Sequence, residues 1–253
     1  MPRPRLITMP PSHFSEKARW ALDRSGLDYV EEPHAPLFHR LALARVRGGT
    51  TVPALVTDDG TVRESAPILH WVDRQVPSER RLYPEEPELR QAVEEFEERL
   101  GKAIGRAVPR WLFFHILPHP RVFHSLVTRG VPPWEELALR WVGPLVRALM
   151  RRGLGLTAER ADRARQYLDV QLEEAGSLLA GGKRFLFADR FTAADLTLAA
   201  LYGPLLSGGH YGGSCTDLPW GIPAVAKQLT GWSATPAGEH IRRLYAEERR
   251  PLA

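Results

Sequence analysis

Cysteine is nearly absent: among 253 residues only Cys215 occurs, which excludes an intrachain disulfide framework and any intrachain dithiol redox pair. A reducing compartment fits that scarcity. Long hydrophobic runs are missing too. The apolar stretch Leu6 to Met9 is interrupted at once by Pro10 and Pro11, too short for the apolar segment of a secretory signal or for a membrane span. A cytoplasmic protein with no membrane partner is expected. Nor does one sign of charge dominate. The 34 basic residues exceed the 30 acidic ones by four and are interspersed with them, a mildly basic surface and not a nucleic-acid footprint. Even the densest cationic stretch, Arg147, Arg151 and Arg152, is interleaved with Leu149 and Met150 and reads as a solvated helix end. Internal repeats and low-complexity segments are lacking. What is present is ordinary globular usage, 43% hydrophobic and 25% charged, at a length for one large or two modest domains.

Periodicity changes along the chain. Leu6 to Met9 predicts a short buried strand ended by the Pro10-Pro11 pair, and Ser15 to Leu22 predicts a helix with Ala18, Ala21 and Leu22 on one face, stopped by Gly26. Asp28 to Glu32 is a second strand, followed by an irregular stretch with one short helix around Leu37 to Val46. Val52 to Val56 and Thr61 to Arg63 flank Asp58-Asp59-Gly60 and predict a hairpin. Ala66 to Val72 then reads as a helix with Pro67 in its first turn and Ser65 as its cap. Pro77 to Pro87, with three prolines and several charges, is a linker. Beyond it only helical spacing is strong: Leu89, Val93, Phe96, Leu100, Ala103 and Ala107 recur at threes and fours. Pro109 to Pro133 is expected to be kinked or looped, with helices following from Trp134 to about Arg152 and from Thr157 to Leu179. Residues 1–77, 78–87 and 88–253 are thus read as an α/β domain, a linker and an all-helical domain.

Four local patterns stand in a fixed order. Ser12-His13-Phe14-Ser15-Glu16-Lys17-Ala18-Arg19-Trp20 opens the first helix; Val52-Pro53-Ala54-Leu55 enters the hairpin; Glu64-Ser65 leaves it; and Phe191-Thr192-Ala193-Ala194-Asp195-Leu196 opens a later helix. Together they resemble the glutathione transferase superfamily: its strand-loop-helix opening with a Ser or Cys, its cis-proline segment, its glutathione-binding pair and its carboxy-terminal capping motif. The resemblance implies a thioredoxin-like first domain with a mixed four-stranded sheet, an all-helical second domain, glutathione as co-substrate, a small hydrophobic electrophile as acceptor and a homodimer with the first domain of one subunit against the helices of the other.

The same resemblance implies site residues. Ser12 is the hydroxyl donor to the thiolate, with Ser15 one turn further on as its competitor, and His13, Phe14, Thr51, Val52, Pro53, Glu64 and Ser65 hold the tripeptide. At a helix start a sulfur meets a hydroxyl, free backbone N–H groups and the positive end of the dipole, all favouring thiolate over a thiol of ordinary pKa ~8.5. Ser12 reads equally as a plain helix cap. A cis bond before Pro53 exposes the Val52 backbone to an extended peptide; a trans bond makes it an ordinary strand start. Ser65 and Glu64 suit the carboxylate and ammonium of a γ-glutamyl group. His13 stands where many relatives have proline or a small residue, and Arg47 is the one cation suggested for the glycine carboxylate. With no Cys at position 12 a protein mixed disulfide there is excluded, leaving conjugation, isomerisation or dehalogenation. A second reading keeps the fold as a binding module without thiol chemistry.

Thr192 and Asp195 form a capping box flanked by Phe191 and Leu196 as a hydrophobic staple, a folding device worth on the order of 1–2 kcal/mol. His115, His119 and His124 are not expected to share a metal, because Pro118 and Pro120 break the helix that would align them. Trp111, Phe113, Phe114 and Phe123 around them are expected to line an apolar acceptor pocket or to pack between the domains.

Overall fold

Leu6 and Ile7 are adjacent in sequence and both fully buried, so the first strand is covered on both faces. The computed structural model describes residues 3–207, 211–212 and 221–249; Cys215 lies outside them. Strands β1 (Arg5–Thr8), β2 (Val30–Pro33), β3 (Ala54–Thr57) and β4 (Gly60–Arg63) form one sheet in the order β2-β1-β3-β4. β1 runs parallel to β2 and antiparallel to β3, with Leu6 opposite Glu31 and Leu55. Helix α1 (His13–Ser25) is the crossover between the parallel pair. Leu6, Leu55, Ile68 and Leu69 face the main core with α1 and α3 (Ser65–Gln75), while Ile7 and Ala54 face a smaller cluster with Ala42 and Leu43 under α2 (Phe38–Arg45). This is the expected thioredoxin-like arrangement with its mixed four-stranded sheet.

The hairpin closes through Asp58 and Asp59, with Gly60 at φ 124 taking a conformation side chains rarely adopt. The cap of α3 differs from expectation. Glu64 is the cap residue, at φ 67, and Ser65 is already inside the first turn without a capping side-chain bond. After a 3₁₀ turn at Ser78–Arg80, the rest is helical: α4 (Pro87–Ile104), α5 (Ala107–Ile116), α6 (Pro120–Thr128), α7 (Pro133–Leu154), α8 (Ala158–Leu178), α9 (Ala193–Leu206), α10 (Pro223–Ser233) and α11 (Pro236–Glu247). Residues 109–133 therefore hold two short helices where kinks or loops were expected. Pro109 sits in the first turn of α5 and Pro120 at the start of α6, where a missing N–H costs nothing, and Pro118 falls in the break between them.

Every residue of α9 is buried. It packs against α1, α4 and α11, and so joins the sheet domain to the helices. Its capping box forms as read, and Asp195 also accepts a bond from Leu186 N (3.0 Å) and lies 3.2 Å from His240 Nε2. Trp111, Phe113 and Phe123 lie in the main core.

The back of α1 is held by a segment far away in sequence. Trp20 Nε1 donates to the Glu248 carbonyl (3.1 Å), Arg24 pairs with Glu248 (2.6 Å), and Arg249 pairs with both Glu16 (2.8 Å) and Asp23 (2.7 Å). Glu16 also takes Arg19 (2.5 Å) and the Gly212 N–H (3.1 Å).

Candidate functional site

Ser12 ends a tight loop in which its N–H donates to the Met9 carbonyl (3.0 Å), and it caps α1: its Oγ accepts from Ser15 N at 3.2 Å. A serine hydroxyl has one hydrogen and two lone pairs, so accepting that bond leaves the hydrogen free to point outward. Capping and donation are compatible in one side chain.

The loop opens into a cavity of about 770 Å³ between the sheet domain and α4. Ser12, Phe14, Thr51, Val52, Pro53, Glu64 and Ser65 all line it, bringing together seven of the residues picked out from the sequence. The Val52–Pro53 peptide is cis. The N–H of Glu64 donates to the Pro53 carbonyl (3.2 Å), tying the two segments together. The N-terminal ends of α1 and α3 both face this space, two partial positive charges with unpaired N–H groups.

The other two picked residues do not line the cavity. Ser15 is fully buried, its Oγ against Met9 N at 3.5 Å. His13 is buried, its Nε2 without a hydrogen-bond partner and its ring 4.5 Å from that of Phe14. Burial pushes its pKa down to about 4 against a hydrogen bond to the Gly105 backbone that pulls the other way, so His13 is neutral at physiological pH. Gly105 is needed here, since a Cβ on it would lie 2.7 Å from the Phe14 ring.

Several lining residues carried no sequence signal. Lys17 and Glu97 form a buried ion pair across the domain boundary, and Tyr83 donates to Glu97 at 2.6 Å. Burial lowers the Lys17 pKa and the Glu97 charge opposes it. His39 and Arg40 on α2 stand at the cavity, whereas Arg47 is not among its lining residues. Burial holds the His39 imidazole below its ordinary pKa. The far wall is α4, with Glu94, Glu98, Gly101 and Lys102, and the aromatics of α5 and α6 take no part in it. Trp111, Phe114 and His115 line a separate hollow of about 280 Å³ beside α8 and α10.

Residues 6–80 match the family described as glutathione S-transferase, N-terminal domain. No curated protein matches the sequence. A glutathione S-transferase from Methylobacterium radiotolerans JCM 2831, solved in complex with glutathione sulfonate, is similar over 100% of this chain and 97% of its own, with TM-score 0.57 and 22% identity. One from Sinorhizobium meliloti 1021 is similar over 98% and 99%, with TM-score 0.58 and 18% identity. The beta-etherase LigF from Sphingobium sp. strain SYK-6 is similar over 96% and 99%, with TM-score 0.60 and 18% identity. No helix among the described residues is long and apolar enough to cross a membrane. Residues 6–80 thus match the glutathione S-transferase N-terminal domain family, and the chain over nearly its whole length shares the fold of these solved glutathione S-transferases.

Proposed function

We propose that the chain is a glutathione-dependent transferase in which Ser12 stabilises the thiolate of bound glutathione for attack on a small electrophile. One observation carries this reading: Ser12, the cis Val52–Pro53 peptide and the Glu64-Ser65 pair converge on one cavity with two helix N-termini. The tripeptide runs along the Val52 backbone. Its γ-glutamyl carboxylate meets the α3 N-terminus at Ser65, its ammonium meets Glu64, and its glycine carboxylate reaches His39 and Arg40 on α2. The sulfur then lies at the start of α1, where the Ser12 hydroxyl and the helix dipole lower its pKa. His13 and Ser15 drop out as ligand contacts, because neither reaches the cavity.

Attack forms a bond from the sulfur to the electrophile, and the leaving group departs with the electron pair. The acceptor sits between Phe14 and α4. That wall sets Glu94, Glu98 and Lys102 in a mostly apolar lining, which suits a hydrophobic electrophile carrying a polar substituent.

Calorimetric titration of glutathione into the wild type, Ser12→Ala and Ser65→Ala tests this. Binding that weakens in Ser65→Ala, with the bound thiol's pKa raised by about one unit or more in Ser12→Ala, is the expected pattern. Absence of saturable binding to folded wild type refutes it and leaves a binding module or another thiol.

A further inference from the structure

On its cavity side α4 sets Glu94, Glu98, Gly101 and Gly105 three or four residues apart, so that they follow one another along one face of the helix. The two glycines are there for different reasons. A Cβ on Gly105 would lie 2.7 Å from the Phe14 ring, so that glycine lets α1 and α4 close on each other. Gly101 answers no such need. It is helical, its φ is not positive, and a Cβ built on it would meet no heavy atom of the described residues within 4 Å. Alanine would fit and would hold the helix better, because glycine gives up more backbone freedom on folding than any other residue. What sets Gly101 apart is that it lines the cavity, where its missing side chain leaves a bare strip of helix backbone in the wall.

The neighbours keep that strip open. The Glu97 carboxylate is drawn aside by Lys17 and by the Tyr83 hydroxyl (2.6 Å), and Glu98 is paired with Lys102 at the exposed rim. The Phe14 ring is fixed between the His13 ring (4.5 Å) and Gly105, which lies four residues, or ~6 Å, along α4 from Gly101. The space over Gly101 is thus a slot about one helical turn long, with an aromatic ring at one end and the Glu98–Lys102 pair at the other.

We propose that Gly101 is the specificity-determining residue of the acceptor site, and that the electrophile it admits is a flat aryl or benzyl group laid on the bare α4 backbone, with its ring against Phe14 and its polar substituent toward Lys102. This rests on reading the cavity as a glutathione-dependent site. A planar group can approach a glycine backbone where any Cβ would hold it off, and ring-on-ring packing with Phe14 rewards that approach. Ser12 and Phe14 line the cavity two residues apart, so a ring resting on Phe14 keeps its reacting carbon within reach of a sulfur held at Ser12. With a benzylic chloride the thiolate sulfur bonds to the benzylic carbon as the carbon–chlorine bond breaks, chloride leaves with the electron pair, and the thiol proton has already passed to solvent.

Wild type, Gly101→Ala and Gly101→Leu test this in two assays. In the first, 4-nitrobenzyl alcohol, an unreactive analogue, is titrated into each protein without any thiol. In the second, kcat/KM with glutathione is measured for 4-nitrobenzyl chloride and for the compact iodoacetamide. We expect saturable binding of the alcohol to wild type, weakened about 10-fold or more in Gly101→Leu, and a loss of about 10–200-fold in kcat/KM for the benzyl chloride alone. Glutathione affinity and the iodoacetamide rate stay at wild-type values. Gly101→Ala lies between the two and melts about 1–3 °C above wild type. No binding of the alcohol to wild type overturns the proposal, as does equal binding to wild type and Gly101→Leu, or an equal loss for both electrophiles. A lower melting temperature in Gly101→Ala also overturns it, by giving the glycine to the fold. A wild type that binds the alcohol but not glutathione, with the alcohol lost in Gly101→Leu, refutes the thiol reading and supports the slot.

Discussion

Replacing Asp195 by alanine should cost far more than a cap. In an exposed helix, losing such a residue costs ~1 kcal/mol. Here the carboxylate is fully buried and accepts from Thr192 N (3.1 Å), Thr192 Oγ1 (3.0 Å) and Leu186 N (3.0 Å). His240 is a fourth donor. Arg243 lies 3.0 Å from His240 Nδ1 and a guanidinium can only donate, so Nδ1 accepts and the hydrogen sits on Nε2, facing Asp195 at 3.2 Å. Each buried donor left unpaired costs ~1–3 kcal/mol. With partial relaxation the loss for Asp195→Ala is about 3–5 kcal/mol, above the ~1–2 kcal/mol that the capping motif alone implies. For a chain of this size that is roughly 10 °C in Tm. Urea unfolding followed by circular dichroism reads it directly if the slopes of wild type and variant agree. A loss below ~1.5 kcal/mol would refute the reasoning, because it would mean that the donors find other partners or need none.

Three further outcomes follow from the site and its supports. Glu97→Gln leaves the Lys17 ammonium buried without its counter-charge and should cost about 3–5 kcal/mol, whereas Glu97→Leu combined with Lys17→Met should recover most of the loss in the same urea assay. His13 binds its proton more weakly when folded than the ordinary 6.5, at about 4, so the unfolded chain holds more protons between those values. Its contribution is therefore complete above pH ~6.5 and lost as pH falls toward ~4, about 3 kcal/mol in all; His13→Asn should flatten the stability profile in that window. Ser12→Ala should lower turnover by about 10²–10³-fold, the effect of losing one oriented donor to a developing anion, with a smaller change in KM; equal turnover would remove Ser12 from the chemistry.

What was legible in the sequence was local. The hairpin, the cap at Ser12 and the capping box at Thr192 each depend on residues within four positions of one another, so their chemistry shows in the order of letters. Glu16, Lys17 and Arg19 were not legible. On an amphipathic helix they read as its wet face, yet all three are buried: Glu97 reaches Lys17 from 80 positions away, Arg249 reaches Glu16 from 233, and Arg19 lies between Glu16 and Glu31 of β2. Of the two roles open to the aromatics of residues 111–123, lining an acceptor pocket or packing, Trp111, Phe113 and Phe123 take packing in the core, and α4 meets the cavity with charged side chains. At Ser65 the residue type suggested a cap, and the backbone turn at Glu64 moved the helix start by one position.

The clasp on α1 also sets an order of events during synthesis. Trp20 leaves the ribosome 228 positions before Glu248. At ~5–20 residues per second, on the order of 10–45 s pass before the clasping segment exists. During that time the helix that presents Ser12 lacks the Arg249 that pairs with Glu16 and Asp23 and the Glu248 that pairs with Arg24, and its Trp20 indole is uncovered on its Glu248 side. The helix that presents Ser12 is therefore completed only when a segment more than two hundred positions downstream arrives and Arg249 closes over Glu16.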